Sequence, residues 1–457
     1  MMILNRLPSP EPALWQPYTP SEQMPWNRER VAHLFRRAAF GATEAEIDAA
    51  LKKSPSEVID SLIDNSKAEE FAAQSKAMAS SILATGDPKQ LAGWWTYVLL
   101  NSPTPLRERM TLFWHGHFAT SAAKVNDPQL MLEQNQLLRT HALGDFRAMV
   151  QGIARDPAML IYLDSATNRK AHANENFARE LMELFCLGEG NYSEKDVQEL
   201  ARCFTGWEIK SKAFKFNRFQ HDDGEKLILN KAGRFPEGDA IDWVLEQKSA
   251  SQFIAGKILK ELIGDEPPLA PGLIEDFARF LREPKQKWDI GAFVKRVLGS
   301  YLFFDTTTMA RKVRSPVDFA VGLLRSLEGS CNSQQLADAM QQIGQGLFYP
   351  PNVKGWDGGR AWINASTILG RANLVAQLLT DNRTRFSGKK LDAYLAGLGA
   401  KTREDRLTQL ERLLLASPLA APQHATLLDL ARKAKSDEVA TAELLRALVA
   451  LPEFQLA

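Results

Sequence analysis

The chain has 457 residues, of which 45% are hydrophobic and 24% charged, and its 56 basic and 55 acidic side chains leave a formal charge of +1. Those proportions describe a protein with a packed core, and the near-neutral balance argues against a broad phosphate-backbone footprint, so no nucleic-acid partner is expected. Three cysteines without CxxC spacing exclude a disulfide framework; no apolar run reaches the roughly 18 residues of a membrane span, and the opening segment lacks a basic region followed by an apolar one, so the cytoplasm is the expected compartment.

Residues 1–26 hold six prolines and predict an extended arm that lies on the body through Trp15 and Tyr18. A main helical domain over 27–400 and closing helices over 401–457 are expected to follow. In VAHLFRRAAFGAT, Val31, Leu34, Phe35 and Ala38 recur at helical spacing, with Gly41 as the stop. Thr43 and Glu46 then form a capping box for a helix from Glu44 to about Lys53. Helical patterning continues through 89–100, PLRERMTLFW, 128–151 and 155–163. Leu106, Met110, Phe113 and Trp114 make one amphipathic helix that should stop at Gly116. Over 174–187, Phe177, Leu181, Leu184 and Phe185 form a stripe ended by Gly188. Ser193 then caps a helix with Val197, Leu200, Ala201 and Phe204 inward, closing at Gly206. Between 207 and 238 Phe214, Phe216 and Phe219 alternate with basic residues and LILN is strand-like, which predicts a loop or short hairpin inserted in the helical body. Helices resume from Asp239 to about Arg325, and a Gly/Pro/Trp-rich stretch at 344–364 predicts an ordered loop. The fold class is mainly α, a multi-helical body with that small insertion.

Four segments carry candidate chemistry. His115 and His117 flank Gly116, and a helix break there would let them share a metal ion; on a continuous helix, residues two apart point about 200° apart and cannot. Asn176, Glu180 and Glu183 share a helix face, where paired carboxylates suit divalent-metal ligation or general acid/base work, while Arg179 and Glu175 can pair on an exposed face. His221, Asp222, Asp223, Glu225 and Lys226 sit in one loop, suited to a hard cation or to a solvated turn. Finally, Trp356, Arg360, Trp362 and Asn364, with Lys354 and Asp357, suit a polar ligand such as a sugar or phosphate, or anchor the loop in the core. No GxSxG, GxxxxGK[ST], HExxH or dinucleotide glycine fingerprint is present.

Four blocks, AHLFRRAAFGAT, PLRERMTLFWHGHFATS, ENFARELMELFCLGEGNYSEKDVQELARCFTGW and PPNVKGWDGGRAWINASTILGRAN, resemble the hallmark segments of a bacterial family known as domain of unknown function 1800. HDDGEK is similar to a further family block. The resemblance implies a largely helical fold, an unassigned role, and a sulfatase-like protein as partner. It also implies a histidine where Phe185 stands, a departure that weakens a metal site on this helix. Two functional expectations follow. One is a metal-dependent hydrolase of a phosphoester, sulfate ester or glycoside. Its site would have Glu180, Glu183, His221 and Asp223 as catalytic groups, and His115, His117 and Asp222 as ligands of a divalent metal. Asn176, Arg179, Lys226, Trp356, Arg360 and Asn364 would hold substrate. The other is a non-catalytic scaffold for the sulfatase-like partner. A haem protein is disfavoured because no CxxCH occurs.

Overall fold

A computed structural model describes residues 15–66, 68–236, 238–264, 266 and 268–457. Most of the proposed arm, residues 1–14, thus lies outside the described residues. Trp15 packs edge-on against Phe277 at 5.2 Å, and the Tyr18 hydroxyl donates to the Met24 carbonyl at 2.8 Å.

Helices dominate, and the described strands form only two-stranded antiparallel ribbons. Local chemistry sets most boundaries. Thr43 and Glu46 form the capping box that opens the helix Glu44–Leu51. Ser193 does the same with Asp196 for the helix Glu194–Cys203, whose face of Val197, Leu200 and Ala201 is buried. Asp318 plays the reciprocal part with Ser315 at the start of the helix Pro316–Ser326.

Two glycines act differently from the expectation. The first helix, Arg28–Ala39, turns at Phe40, which itself adopts φ 68°. Gly41 is instead a point of close packing: a Cβ there would lie 2.4 Å from Ser326 Oγ and 3.0 Å from the Gly322 carbonyl oxygen. Gly116 does not stop its helix either, because Pro105–His117 runs through it. What the glycine permits is contact from the far side. A Cβ on Gly116 would sit 3.5 Å from the Trp356 ring, and one on Gly355, at φ 80°, would lie 2.1 Å from the Gly116 carbonyl oxygen. The 344–364 loop is therefore seated directly on this helix.

The 174–187 stripe is buried as expected at Phe177, Leu181 and Phe185, with Leu184 only half-buried, but the helix is not uniform. The α-helical turn Asn176–Glu180 widens into a π-helical segment, Leu181–Cys186, and Gly188 follows at φ 81°. The insertion is two hairpins. Trp207–Lys210 pairs with Ala213–Phe216, and Lys226–Ile228 with Lys231–Gly233. Both two-residue turns, Ser211-Lys212 and Leu229-Asn230, have positive φ throughout, the backbone that matches strand twist.

Apolar side chains gather in two packed groups. One centres on Trp114, Phe118, Phe146, Phe185 and Phe293. The other includes Trp95, Phe319, Phe348 and the C-terminal helices Arg403–Leu414, Ala421–Lys433 and Asp437–Ala450. Arg314 ties the chain end down by donating to the Leu414 and Leu456 carbonyls. Among the described residues no helix is long and apolar enough to cross a membrane.

Candidate functional site

The helix Pro105–His117, the helix Lys248–Leu262 and the loop through Trp356 enclose a cleft of about 620 Å³. On the second helix, Phe253, Gly256, Lys257 and Lys260 recur at i, i+3, i+4 and i+7 and so share the face that lines it. Phe113, Trp356 and Trp362 add aromatic surface from the other walls.

Five cationic side chains line this cleft, Arg109, Lys257, Lys260, Lys312 and Lys354, against three acids, Glu261, Asp318 and Asp357. Four of these charges satisfy one another. Arg109 donates to Asp318 Oδ1 at 2.5 Å and to Glu261 Oε1 at 3.0 Å, and Lys312 Nζ lies 2.7 Å from Glu261 Oε2. Burial opposes ionisation of Asp318, but the Arg109 and Lys312 charges outweigh it and hold the carboxyl well below its usual range.

Lys257, Lys260 and Lys354 are held in no ion pair among the described residues. Lys257 Nζ sits 5.1 Å from the Phe253 ring centroid. Burial, with the neighbouring Lys260 charge, pulls its pKa down to about 8.

His117 forms part of the same wall. Its Nε2 lies 2.9 Å from the Phe185 carbonyl oxygen, which can only accept, so Nε2 carries the proton. Nδ1 is buried without a partner and keeps a free lone pair. Burial and the Lys257 charge hold the ring neutral, its pKa well below the ordinary histidine value. The cleft thus offers an excess of positive charge, aromatic faces and one buried acceptor: it suits an anion attached to a body with flat apolar faces and hydroxyls.

The family described as "Protein of unknown function (DUF1800)" matches residues 33–456. The chain belongs to this family. No curated protein and no solved structure matches it.

The DUF1800 blocks do meet, though not as a metal centre. Because the helix continues through Gly116, His115 and His117 point to different sides. His115 packs on Trp95, Phe348 and Trp356, and burial pulls its pKa down to about 3. Asp222 is not a free ligand: it accepts from Arg202 Nε at 2.7 Å and from the Gly224 amide at 2.8 Å. Among the described residues no group of three or more His, Cys, Asp or Glu side chains is placed to hold a metal ion. The expected shared site of His115, His117 and Asp222 therefore has no geometry behind it.

The remaining candidates are also scattered. His221 is buried, its Nδ1 2.9 Å from the Thr205 carbonyl oxygen, while Asp223 is exposed. Lys226 is buried and donates to the carbonyls of Asp222, Gly224 and Arg234, closing its own loop. Glu183 accepts from the Tyr192 hydroxyl at 2.9 Å. Glu180 is half-buried, and burial with the Glu183 charge raises its pKa against the opposing pull of Arg179 and Lys354. Arg179 pairs with Glu175 and Glu194, as an exposed face would. The Asn176 side chain donates to the Leu163 carbonyl. Asn364 caps the helix Ala365–Thr380, and Arg360 pairs with Glu266 at 2.5 Å. Of the residues the sequence singled out, His117, Lys354, Trp356, Asp357 and Trp362 line the cleft. Arg109, Lys257, Lys260, Lys312 and Asp318 were not singled out in the sequence. The signal that marks two of them, lysines one turn apart beside a phenylalanine, is faint because many exposed helix faces look the same.

Proposed function

We propose that this protein binds an anionic carbohydrate, a phosphorylated or sulfated sugar, in the cleft beneath Trp356. The observation that carries this reading is the convergence of three lysines held in no ion pair among the described residues, Lys257, Lys260 and Lys354, with two indoles in one hollow. Coulomb attraction in a partly desolvated cleft favours the anion, and indole faces cover the apolar faces of a sugar ring. The hydrolase expectation narrows accordingly: phosphoesters and sulfate esters supply the anion, whereas a divalent cation would meet mostly positive charge. A sulfatase-like partner, implied by the family resemblance, would act on the same class of ligand.

Calorimetric titration with glucose 6-phosphate, glucose 6-sulfate and glucose tests this reading. Both esters are expected to bind, more weakly as salt rises, and glucose to bind at least about tenfold more weakly, a difference of about 1.4 kcal/mol. The Lys260→Met/Lys354→Met double variant should lose about tenfold or more in ester affinity. Equal binding of glucose and its esters, or no binding of any ester, overturns it.

A further inference from the structure

Within the cleft, one amine differs from the rest. Lys260 and Lys354 are exposed cations at the rim, and Lys312 is committed to Glu261. Lys257 is neither: its side chain is half-buried, lies along the Phe253 ring, and meets no carboxylate. Gly256 beside it also lines the cleft.

We propose that Lys257 is a nucleophile that forms an imine with the carbonyl group of an anionic ligand, such as an open-chain sugar phosphate. This rests on the anion-binding reading, and it assigns the ligand a second functional group. Lys260 and Lys354 would hold the phosphate, which brings the carbonyl carbon towards Lys257 Nζ. The amine lone pair forms the C–N bond while the carbonyl π pair moves to oxygen, which takes up one of the amine protons. The resulting hydroxyl then leaves with the second proton as water as nitrogen closes the C=N bond. An aldehyde or ketone and an amine thus give an imine and one water, with no oxidant or reductant.

The surroundings favour the required neutral amine. Burial disfavours the ammonium form, and Lys260 adds like charge. His117 on the facing helix is neutral, so it offers no compensating negative charge. Lys354, from the loop opposite, adds further positive charge. Glu261 and Asp318 are occupied by Arg109 and Lys312, and Asp357, exposed on the loop, forms no ion pair among the described residues.

Pyridoxal 5′-phosphate, an anionic aldehyde, is the probe: the full-length protein is incubated with it, reduced with borohydride, and mapped by peptide mass spectrometry. The adduct should fall on Lys257 at least about tenfold above any other lysine, with a labelling rate half-maximal near pH 8 rather than near 10.5. Lys257→Arg should lose the adduct, which a purely structural lysine would not predict. Labelling spread evenly over surface lysines, or unchanged in total in Lys257→Arg, overturns the proposal. Unphosphorylated pyridoxal separates the two readings. If it labels Lys257 as fast as the phosphate ester does, the anion site fails while the nucleophile stands; if neither labels Lys257 although glucose 6-phosphate binds, the nucleophile fails alone.

Discussion

The loop His221–Lys226 and the cleft beneath Trp356 are built from the same kinds of side chain, and they use them in opposite ways. In the loop, Asp222 and Lys226 are satisfied by a neighbouring helix and by backbone carbonyls. Asp222 takes Arg202, Arg202 also takes Glu199, and Lys226 turns back onto three carbonyls of its own hairpin. In the cleft, charges contributed from sequence positions as distant as 109, 257 and 354 meet, and three of the lysines form no ion pair among the described residues. The partner of Asp222 lies 20 residues away and the carbonyls that hold Lys226 at most eight, separations that close at modest entropic cost. A binding site needs the reverse, groups kept apart from their natural partners by the fold. A dense cluster of ionisable residues in a sequence is thus weaker grounds for a site than an isolated one in a hollow.

The comparison breaks hardest at the cleft floor, where charges are both buried and paired. Asp318→Ala removes one of the two carboxylates on Arg109, whose side chain is only 4% exposed, and leaves the guanidinium short of negative charge. A loss of about 3–5 kcal/mol is expected in urea unfolding at pH 7. Asp318→Asn should lose less, because the amide oxygen can still accept from Arg109 while the amide NH2 faces the Ser315 hydroxyl oxygen, which can accept. Since the folded carboxyl titrates below its unfolded value, its contribution is complete above about pH 4 and fades as acid passes the folded pKa. Equal stability of wild type and Asp318→Ala would mean that the floor is not held together by these charges.

The second prediction concerns Lys257, and its sign is reversed. The folded pKa is down at about 8, against 10.5 for a free lysine, so the unfolded chain binds more protons between those values. Wild-type stability therefore rises with pH through that window. Lys257→Met should be more stable than wild type by about 1–3 kcal/mol at pH 7, with the gain shrinking above pH 8 and absent beyond about pH 10.5. Thermal unfolding followed from pH 6 to pH 10.5 checks it. A pH-independent difference would show that Met acts through packing alone, and that the amine is not strained by burial.

The fold was largely legible where its causes are local. The capping boxes at Thr43 and Ser193 need only residues three apart, and the Phe214 and Phe216 alternation needs only a strand. Legibility failed where a residue answers to something distant in sequence. Gly41 reads as a helix stop, but it is small because Ser326 and Gly322 press against it; Gly116 reads as a break, but the helix runs through it and Gly355 packs on its carbonyl. The candidate site failed for the same reason. His117 and Trp356 stand out as unusual residues, whereas Lys257 becomes unusual only once the fold withholds an acid from it. The expected metal ligands suffered the converse error, since Asp222 looks available until Arg202 is folded against it.

The smallest expected effect sharpens the contrast from the loop side. Asp222 and Arg202 make a two-pronged contact at 2.7 and 3.2 Å, with the carboxylate 22% and the guanidinium 28% exposed. Partial solvation limits such a pair to about 1 kcal/mol, so Asp222→Asn should cost about that at neutral pH. The Arg202 hydrogen bond, ahead of the opposing burial, draws the carboxyl below its usual range. The pair is therefore intact above about pH 4 and lost as pH falls through the folded value, so variant and wild type should converge in acid once that value is passed, as read by denaturant unfolding. Glucose 6-phosphate affinity should not change in Asp222→Asn. A variant that keeps its fold yet loses ester binding would move the anion site to the hairpins, and the distinction between self-satisfied and unpartnered charge would no longer identify where this molecule meets its ligand.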